Sequence, residues 1–354
     1  MPDRVGTLAV ENVTVALDGM GGDRAPEVVV DGAAAAAAEL GIRVLLVGQP
    51  TRLEPLLGRH PPSSLVDIVD AAEVVEMDEH AATAVRQKRD SSIVVGVDLV
   101  RDGRAQAFVS AGNTGAVMAA GLFELKRLPG LERPALAAML PRPRGKTLLI
   151  DVGANADCRP EHLAQFALMG SVYMERVFGV PDPSVALLSI GEEATKGNAL
   201  VQQAHSKLRE YPIHFVGNVE GKDVLGELAD VVVCDGFIGN VLLKFAEGMA
   251  STFTGIIREE IEASWVSKLA ALGLMPAFRR ARQRMDYAEY GGAPLLGLNG
   301  LCIVAHGRSN ALAIKSAVRV AAQAVQQQVV EHITRGLAEA QRRADSSPAG
   351  VTAS

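Results

Sequence analysis

VTVALDGMGGDRAPEVVVDGAAAAAAEL, residues Val13 to Leu40, contains the unit on which the rest of the chain is patterned. Val13–Leu17 is short, apolar and rich in β-branched residues, so it reads as a buried strand. Asp18-Gly-Met-Gly-Gly-Asp23 then breaks the run. Pro26 stands where a helix can begin, and Glu27–Leu40 carries the helix itself. Strand, glycine-rich turn, helix is the grammar of a parallel sheet covered by helices on both faces.

The same order recurs along the chain. Strands are expected at Val44–Val47, Val66–Val69, Ala107–Ser110, Thr147–Ile150, Val185–Ile190, His214–Val216 and Val231–Cys234. Asp90, Ser91 and Ser92 can cap a helix over Ile93–Asp102, and helices follow at Thr114–Leu125 and Glu161–Phe178. Ser309 to about Arg342 reads as one long helix capped by Ser309 or Asn310. Tyr290 to Gly300 reads as a flexible loop leading to a strand at Cys302–Val304. With no linker rich in Ser and Pro, residues 13–342 form a single unit. Residues 1–12 are an N-terminal extension and 343–354 a disordered tail.

Composition narrows the classes. In 354 residues, 48% are hydrophobic and only 4% aromatic, so the core is aliphatic and rich in Ala. The balance of 35 basic and 41 acidic residues, net −6, argues against a generally cationic nucleic-acid binder. Cys158, Cys234 and Cys302 are far apart and odd in number, which points to a reducing compartment rather than a disulfide framework. No signal peptide is evident at the start, and Val241–Ile257 is interrupted by Lys244 and Glu247, too polar to span a bilayer. The expectation is a cytoplasmic protein.

Familiar motifs fail in detail. Arg144-Gly145-Lys146-Thr147 ends like a phosphate-binding loop, but Leu140 stands where the first Gly belongs and a strand follows. Gly19 to Arg24 begins like a dinucleotide fingerprint, but Arg24 replaces its third Gly. The 7 histidines make no HExxH or comparable pair, so no metal is expected. Leu188-Ser189-Ile190 lacks the Gly of a nucleophile elbow.

What remains is a set of strand-exit loops: Asp18–Asp23 with Gly21 and Gly22, Ser110–Gly115 with Gly112, Asn113 and Thr114, Asp151–Asn155, and Cys234–Asn240 with Asp235. Each joins Gly to a capping side chain near a helix start, where exposed N–H groups and the helix dipole favour an anion. Each could equally be a turn and its cap. Ile190 to Asn198 adds Lys196 and Asn198, and Lys196 either meets an anion or pairs with Glu192 or Glu193. His306, after the last strand, either orients a substrate or satisfies backbone groups.

In order, DGMGGDRAP, SAGNTGA, DVGANADCRPEHLAQFALMG, IGEEATKGN, VGNVEG, CDGFIGNVLLKFAEG and YGGAPLLGLNG…AHGRSNA resemble the bacterial fatty acyl-acyl-carrier-protein:phosphate acyltransferase family of phospholipid biosynthesis, across residues 13–330. The resemblance implies a three-layer α/β/α sandwich around a large mixed, mostly parallel sheet, similar to the isocitrate dehydrogenase and phosphate acetyltransferase group. It implies acyl transfer from acyl carrier protein to inorganic phosphate with no cofactor and no acyl-enzyme. It further implies a homodimer, a peripheral place on the membrane, and a product passed to a membrane glycerol-3-phosphate acyltransferase.

Phosphate is already an anionic oxygen nucleophile, which fits the lack of an activated Ser or Cys. On this reading Lys196 and Asn240 are the catalytic pair, neutralising phosphate or the developing oxyanion. Asn113 and Thr114 cradle phosphate, and Asp151 and Asn155 shape the wall. Trp265–Met285 stands apart: Trp265, Leu269, Leu272, Leu274 and Phe278 are apolar, while Lys268, Arg279, Arg280, Arg282 and Arg284 are basic. Gly273 and Pro276 suggest a helical hairpin there, suited to a membrane interface, to an acidic carrier protein or to a dimer contact. Two other readings stay open: a phosphate acetyl- or butyryltransferase that uses CoA, and a membrane-docking scaffold without turnover. A nicotinamide dehydrogenase would rest on fold analogy alone.

Overall fold

A computed structural model describes residues 13–285 and 291–346. The opening unit forms as expected, with β1 at Thr14–Asp18 and α1 at Glu27–Leu40. It continues through β2 (Arg43–Gly48), α2 (Pro50–Leu57), β3 (Val66–Asp70), α3 (Ala81–Gln87), α4 (Ser92–Arg101), β4 (Ala107–Ser110) and α5 (Thr114–Ala120), which runs on as a π-helical turn to Leu125. Next come β5 (Ala135–Pro141), β6 (Lys146–Ile150), α6 (Pro160–Phe178), β7 (Ser184–Leu188), α7 (Ala199–Leu208), β8 (His214–Val219) and β9 (Val231–Val233). The chain closes with α8 (Gly236–Glu262), α9 (Trp265–Met285), β10 (Ala293–Leu296), β11 (Leu301–Val304), α10 (Ala311–Gln326) and α11 (Val329–Ser346).

Among the described residues these strands make one 11-stranded sheet in the order β3-β2-β1-β4-β11-β10-β5-β6-β9-β7-β8. Alternate residues face opposite sides. Val15 and Leu17 meet α1, α6 and α10 in one cluster, while Ala16, Phe108, Leu136 and Leu149 meet α4 and α5 in the other. This is the expected three-layer sandwich.

The registers show how the sheet creates a site. β1 to β4 and β11 are parallel, but β11–β10, β10–β5 and β5–β6 are antiparallel. After these reversals β6, β9, β7 and β8 run against the first group. Ser110 lies level with Val304, and Val304 with Ala293. On the other side Leu295 is level with Leu136, Ala138 with Leu149, and Leu149 with Val232. The two half-sheets therefore approach from opposite directions, and their carboxyl ends stop near one common level.

Several expectations are corrected. The Tyr290–Gly300 loop contains β10 (Tyr290 itself lies outside the described residues), with Leu295 and Leu296 buried at the sheet centre. Gly291, Gly292, Pro294 and Gly297 give this segment the composition of a loop, although Pro294 pairs with Ile303. The long C-terminal helix is two: Gln328 adopts a left-handed φ of 50° and turns the chain between α10 and α11. Asn310, not Ser309, is the cap, its Oδ1 accepting from the amide of Ala313 at 2.9 Å. α11 reaches Ser346, so the helix extends into the expected tail. The N-terminal extension and residues 347–354 lie outside the described residues.

Residues 265–285 form one helix rather than a hairpin, even with Pro276 inside it. The turn comes earlier, at Ala263–Ser264, because Ser264 Oγ accepts from the amide of Val266 at 3.2 Å and starts α9. The hairpin is thus α8 with α9. Of α8's 27 residues only Gly236 and Gly239 are buried.

The start of α6 depends on an uncharged histidine. His162 Nδ1 accepts the backbone N–H of Arg159 at 3.1 Å, and its Nε2 lies 3.0 Å from Glu132 Oε2. Burial, then the positive charges of Arg159 and Arg133, push the His162 pKa down, with Glu161 opposing. A depressed histidine contributes stability that is complete above its unfolded value of about 6.5 and is lost as pH falls toward the folded value. The melting temperature of the wild type should therefore drop below about pH 6.5. His162→Gln should show a shallower drop, and parallel pH profiles for the two proteins would show that the ring plays no such part.

Candidate active site

Each half-sheet delivers a buried aspartate to the level where the strand ends meet. Asp18, at the end of β1, is fully buried. Its Oδ2 accepts from Ser110 Oγ at 2.6 Å, its Oδ1 from the amide of Met20 at 3.0 Å, and Ser110 Oγ accepts from the amide of Gly112 at 3.0 Å. Burial pushes the Asp18 pKa up, and the hydrogen bond from Ser110 pulls the other way. A Cβ on Gly21 would fall 2.3 Å from Asp18 Oδ2 and 2.7 Å from the amide of Gly112, so only glycine lets these loops touch. Gly22 adds a positive φ of 113°.

Asp151 repeats the arrangement at the end of β6. Its Oδ1 accepts from the amides of Leu136, Gly153 and Ala154 at 3.2, 3.1 and 2.9 Å. Its Oδ2 accepts from the amide and the Nδ2 of Asn155, both at 2.8 Å. Here too burial raises the pKa against these donors. Carboxylates of the protein itself thus occupy amides that the sequence offered to a bound anion.

The capping side chains are engaged as well. Asn113 Oδ1 accepts from the amide of Ala116 at 3.0 Å, and its Nδ2 donates at 3.2 Å toward the carbonyls of Glu76, Met77 and Glu79. Asn198 caps α7 through the amide of Val201 at 3.0 Å, and Asp235 caps α8 through that of Ile238 at 2.9 Å. Turn-and-cap is what these side chains do in the fold.

α8 is seated against the Asp151 loop with no clearance. A Cβ on Gly236 would lie 2.8 Å from Asp151 Oδ2, and one on Gly239 only 1.8 Å from the Asp151 carbonyl oxygen. That contact sets Asn240 over Gly153, whose own Cβ would be 3.8 Å from the Asn240 side chain.

Where the two strand-end levels meet there is a cavity of about 410 Å³. Met118, Leu136, Ala138, Val152, Leu243, Leu295 and Val304 give it an apolar wall, and Thr114, Asn240, Lys244, Glu247 and His306 supply its polar groups. His306 Nδ1 accepts from the amide of Arg308 at 3.1 Å. Burial holds its pKa down, with Glu247 opposing and Lys244 assisting.

Of the expected residues, the structure brings Thr114, Asn240 and His306 to the cavity itself. Asp18, Gly21, Ser110 and Gly112 form one knot behind it, and Asp151, Asn155 and Asp235 another. Lys196 does not line the cavity: it is exposed on the loop after β7, its Cγ over Gly191 near Glu193. The lysine that lines the cavity is Lys244, which the sequence reading met only as an interruption of an apolar stretch. The available signal was its place four residues after Asn240, on the same side of a helix.

Among the described residues, no group of three or more His, Cys, Asp and Glu could hold a metal ion. Burial pushes the thiols of Cys158 and Cys302 up to about 12 and that of Cys234 well above its ordinary value. They remain thiols rather than nucleophilic thiolates. The apparent phosphate-binding motif at Gly145 is the hairpin turn between β5 and β6, with a φ of 89°.

Comparison with known proteins shows the family. The sequence model of a family described as Fatty acid synthesis protein matches residues 13–332. A phosphate acyltransferase from Heliobacterium modesticaldum is 56% identical over 325 residues, covering 90% of this chain and 97% of that relative. One from Pelotomaculum thermopropionicum is 51% identical over 319 residues, covering 90% and 93%. Among solved structures, a phosphotransacetylase from Staphylococcus aureus superposes with a TM-score of 0.62 at 18% identity, covering 90% of this chain and 96% of its own, a likeness of fold. The chain belongs to the fatty acid synthesis protein family, and with it to the phosphate acyltransferases.

Proposed function

We propose that the chain transfers a fatty acyl group from the thioester of acyl carrier protein to inorganic phosphate, for phospholipid synthesis. The observation that supports this reading is the cavity itself: an apolar wall for an acyl chain, with polar groups gathered beside it. An oxygen of hydrogen phosphate attacks the carbonyl carbon, the C–O bond forms, and the C–S bond breaks. The products are acyl phosphate and a carrier thiolate, which takes the proton that phosphate brought.

Asn240, set over Gly153, donates to the oxyanion, a contribution of about 2.7–4 kcal/mol for one well-placed donor. Lys196 is assigned to the same charge. Its loop leaves β7, which pairs with β9, the strand that leads into Asn240. The amides at the start of α5, beside Thr114, serve phosphate.

Phosphate-dependent loss of palmitoyl-acyl carrier protein should exceed loss of acetyl-CoA by orders of magnitude. Asn240→Ala should lower kcat by about a hundredfold. Preference for acetyl-CoA would replace the reading with a short-chain transferase, and no turnover of either would leave a scaffold.

The second part of the proposal concerns α8 and α9. Trp265, Leu269, Leu274 and Phe278 are 73%, 58%, 55% and 40% exposed, and Arg280 is exposed beside them. The side chains of Leu272, Arg279, Arg282 and Arg284 lie outside the described residues. Apolar groups flanked by cations suit an anionic lipid surface. No described helix is long and apolar enough to cross a membrane. On this proposal a homodimer rests at the membrane on these helices and passes acyl phosphate to the membrane glycerol-3-phosphate acyltransferase. Wild type should float with vesicles containing phosphatidylglycerol, and the Leu269→Glu, Leu274→Glu double variant should stay at the bottom. Equal flotation would remove the membrane from the proposal.

A further inference from the structure

We propose that Lys244 is the side chain that binds the phosphate substrate, with Glu247 as the counterion that phosphate displaces. This rests on the phosphate acyl-transfer reading and adds to it a residue and a role.

Asn240, Leu243, Lys244 and Glu247 fall at i, i+3, i+4 and i+7 of α8, which places them on one stripe of the helix. All of them line the cavity. The stripe is held at a fixed height, because Gly236 and Gly239 seat the first turns of α8 on the Asp151 loop with no room for a side chain. Asn240 stands over Gly153, and Lys244 follows one turn further out. Leu243, between them in sequence, joins the apolar wall. Lys244 is therefore carried one turn from Asn240 on a stripe that also holds Leu243, so the same helix face brings a cation, an amide and an apolar group to the cavity where an acyl carbon and its attacking phosphate would meet.

The charge balance points the same way. Asp18 and Asp151 already fill the amides at the ends of β1 and β6, and Asn113, Asn198 and Asp235 cap their helices. A phosphate dianion needs a cationic side chain in addition to the few amides left at the start of α5. Among the described residues that line the cavity, Lys244 is the one lysine or arginine.

Lys244 Nζ lies 3.0 Å from Glu247 Oε2, with side chains 57% and 33% exposed. A pair so hydrated is held weakly, so a dianion can take the place of a single carboxylate. Lys244 then acts on phosphate and so on its KM, apart from the oxyanion to which Asn240 donates and on which kcat depends.

The test is steady-state kinetics at saturating palmitoyl-acyl carrier protein with phosphate varied, on wild type, Lys244→Gln, Lys244→Arg and Glu247→Gln. Circular dichroism and melting confirm that each is folded. Lys244→Gln should raise the KM for phosphate by about tenfold or more while changing the KM for the acyl donor little. Lys244→Arg should recover part of the loss. Glu247→Gln should lower the KM for phosphate roughly twofold, since a competitor is gone. Phosphate should raise the melting temperature of wild type and not that of Lys244→Gln. A Lys244→Gln enzyme with wild-type kcat/KM for phosphate would show the pair to be a solvated helix contact and overturn the inference. A wild type that consumes no acyl donor when phosphate is added would instead defeat the acyl-transfer reading beneath it.

Discussion

The site depends on where strands stop. Backbone amides and helix starts useful to an anion lie at the carboxyl ends of parallel strands, so a sheet with a single direction offers them along one edge only. Here β10 and β5 reverse the sheet so that β6, β9 and β7 run toward β4 and β11. Ends that would lie at opposite edges come to one level, and the cavity lies among Val304, Ala293, Ala138 and Val152. Its walls come from both halves because neither half alone has two facing sets of strand ends.

That meeting of strand ends creates an electrostatic problem, which two carboxylates resolve. Converging amides carry partial positive charge and need acceptors when buried. Asp18 and Asp151 supply them from within, and each also fixes the glycines that pass close by. With those amides taken, Thr114 on α5, Asn240, Lys244 and Glu247 on α8, and His306 are the polar groups that face the cavity. In consequence the deep part of the site is closed by internal hydrogen bonds, and the part facing the cavity includes exposed and half-exposed side chains such as Lys244 and Glu247.

Much of this was legible in the sequence. The alternation begun at Val13–Leu40 gives the layers and most of the strands, because buried parallel strands are plain apolar runs. β10 was hidden: Gly291, Gly292, Pro294 and Gly297 carry the signature of a loop, and only the long-range partners Ile303 and Leu136 make a strand of it. The break at Gln328 was hidden for the opposite reason, since no Gly or Pro marks it. At the site, the loops were found but their occupants were not, because a composition of Gly with Asp or Asn is the same whether the aspartate fills the nest or shapes it for a ligand. Lys244 was missed since a lysine in an apolar helix reads as an interruption until the facing wall is known.

The place of β10 and β11 also sets the order of assembly. They come late in the chain, after α9, yet they sit between β4 and β5 at the sheet's middle. Until residues 293–304 are made, β4 and β5 lack the neighbours that cover their facing edges. Those edges are open to wrong partners during synthesis. The cavity has no partial form, because the last strands to be made are also the seam that closes it.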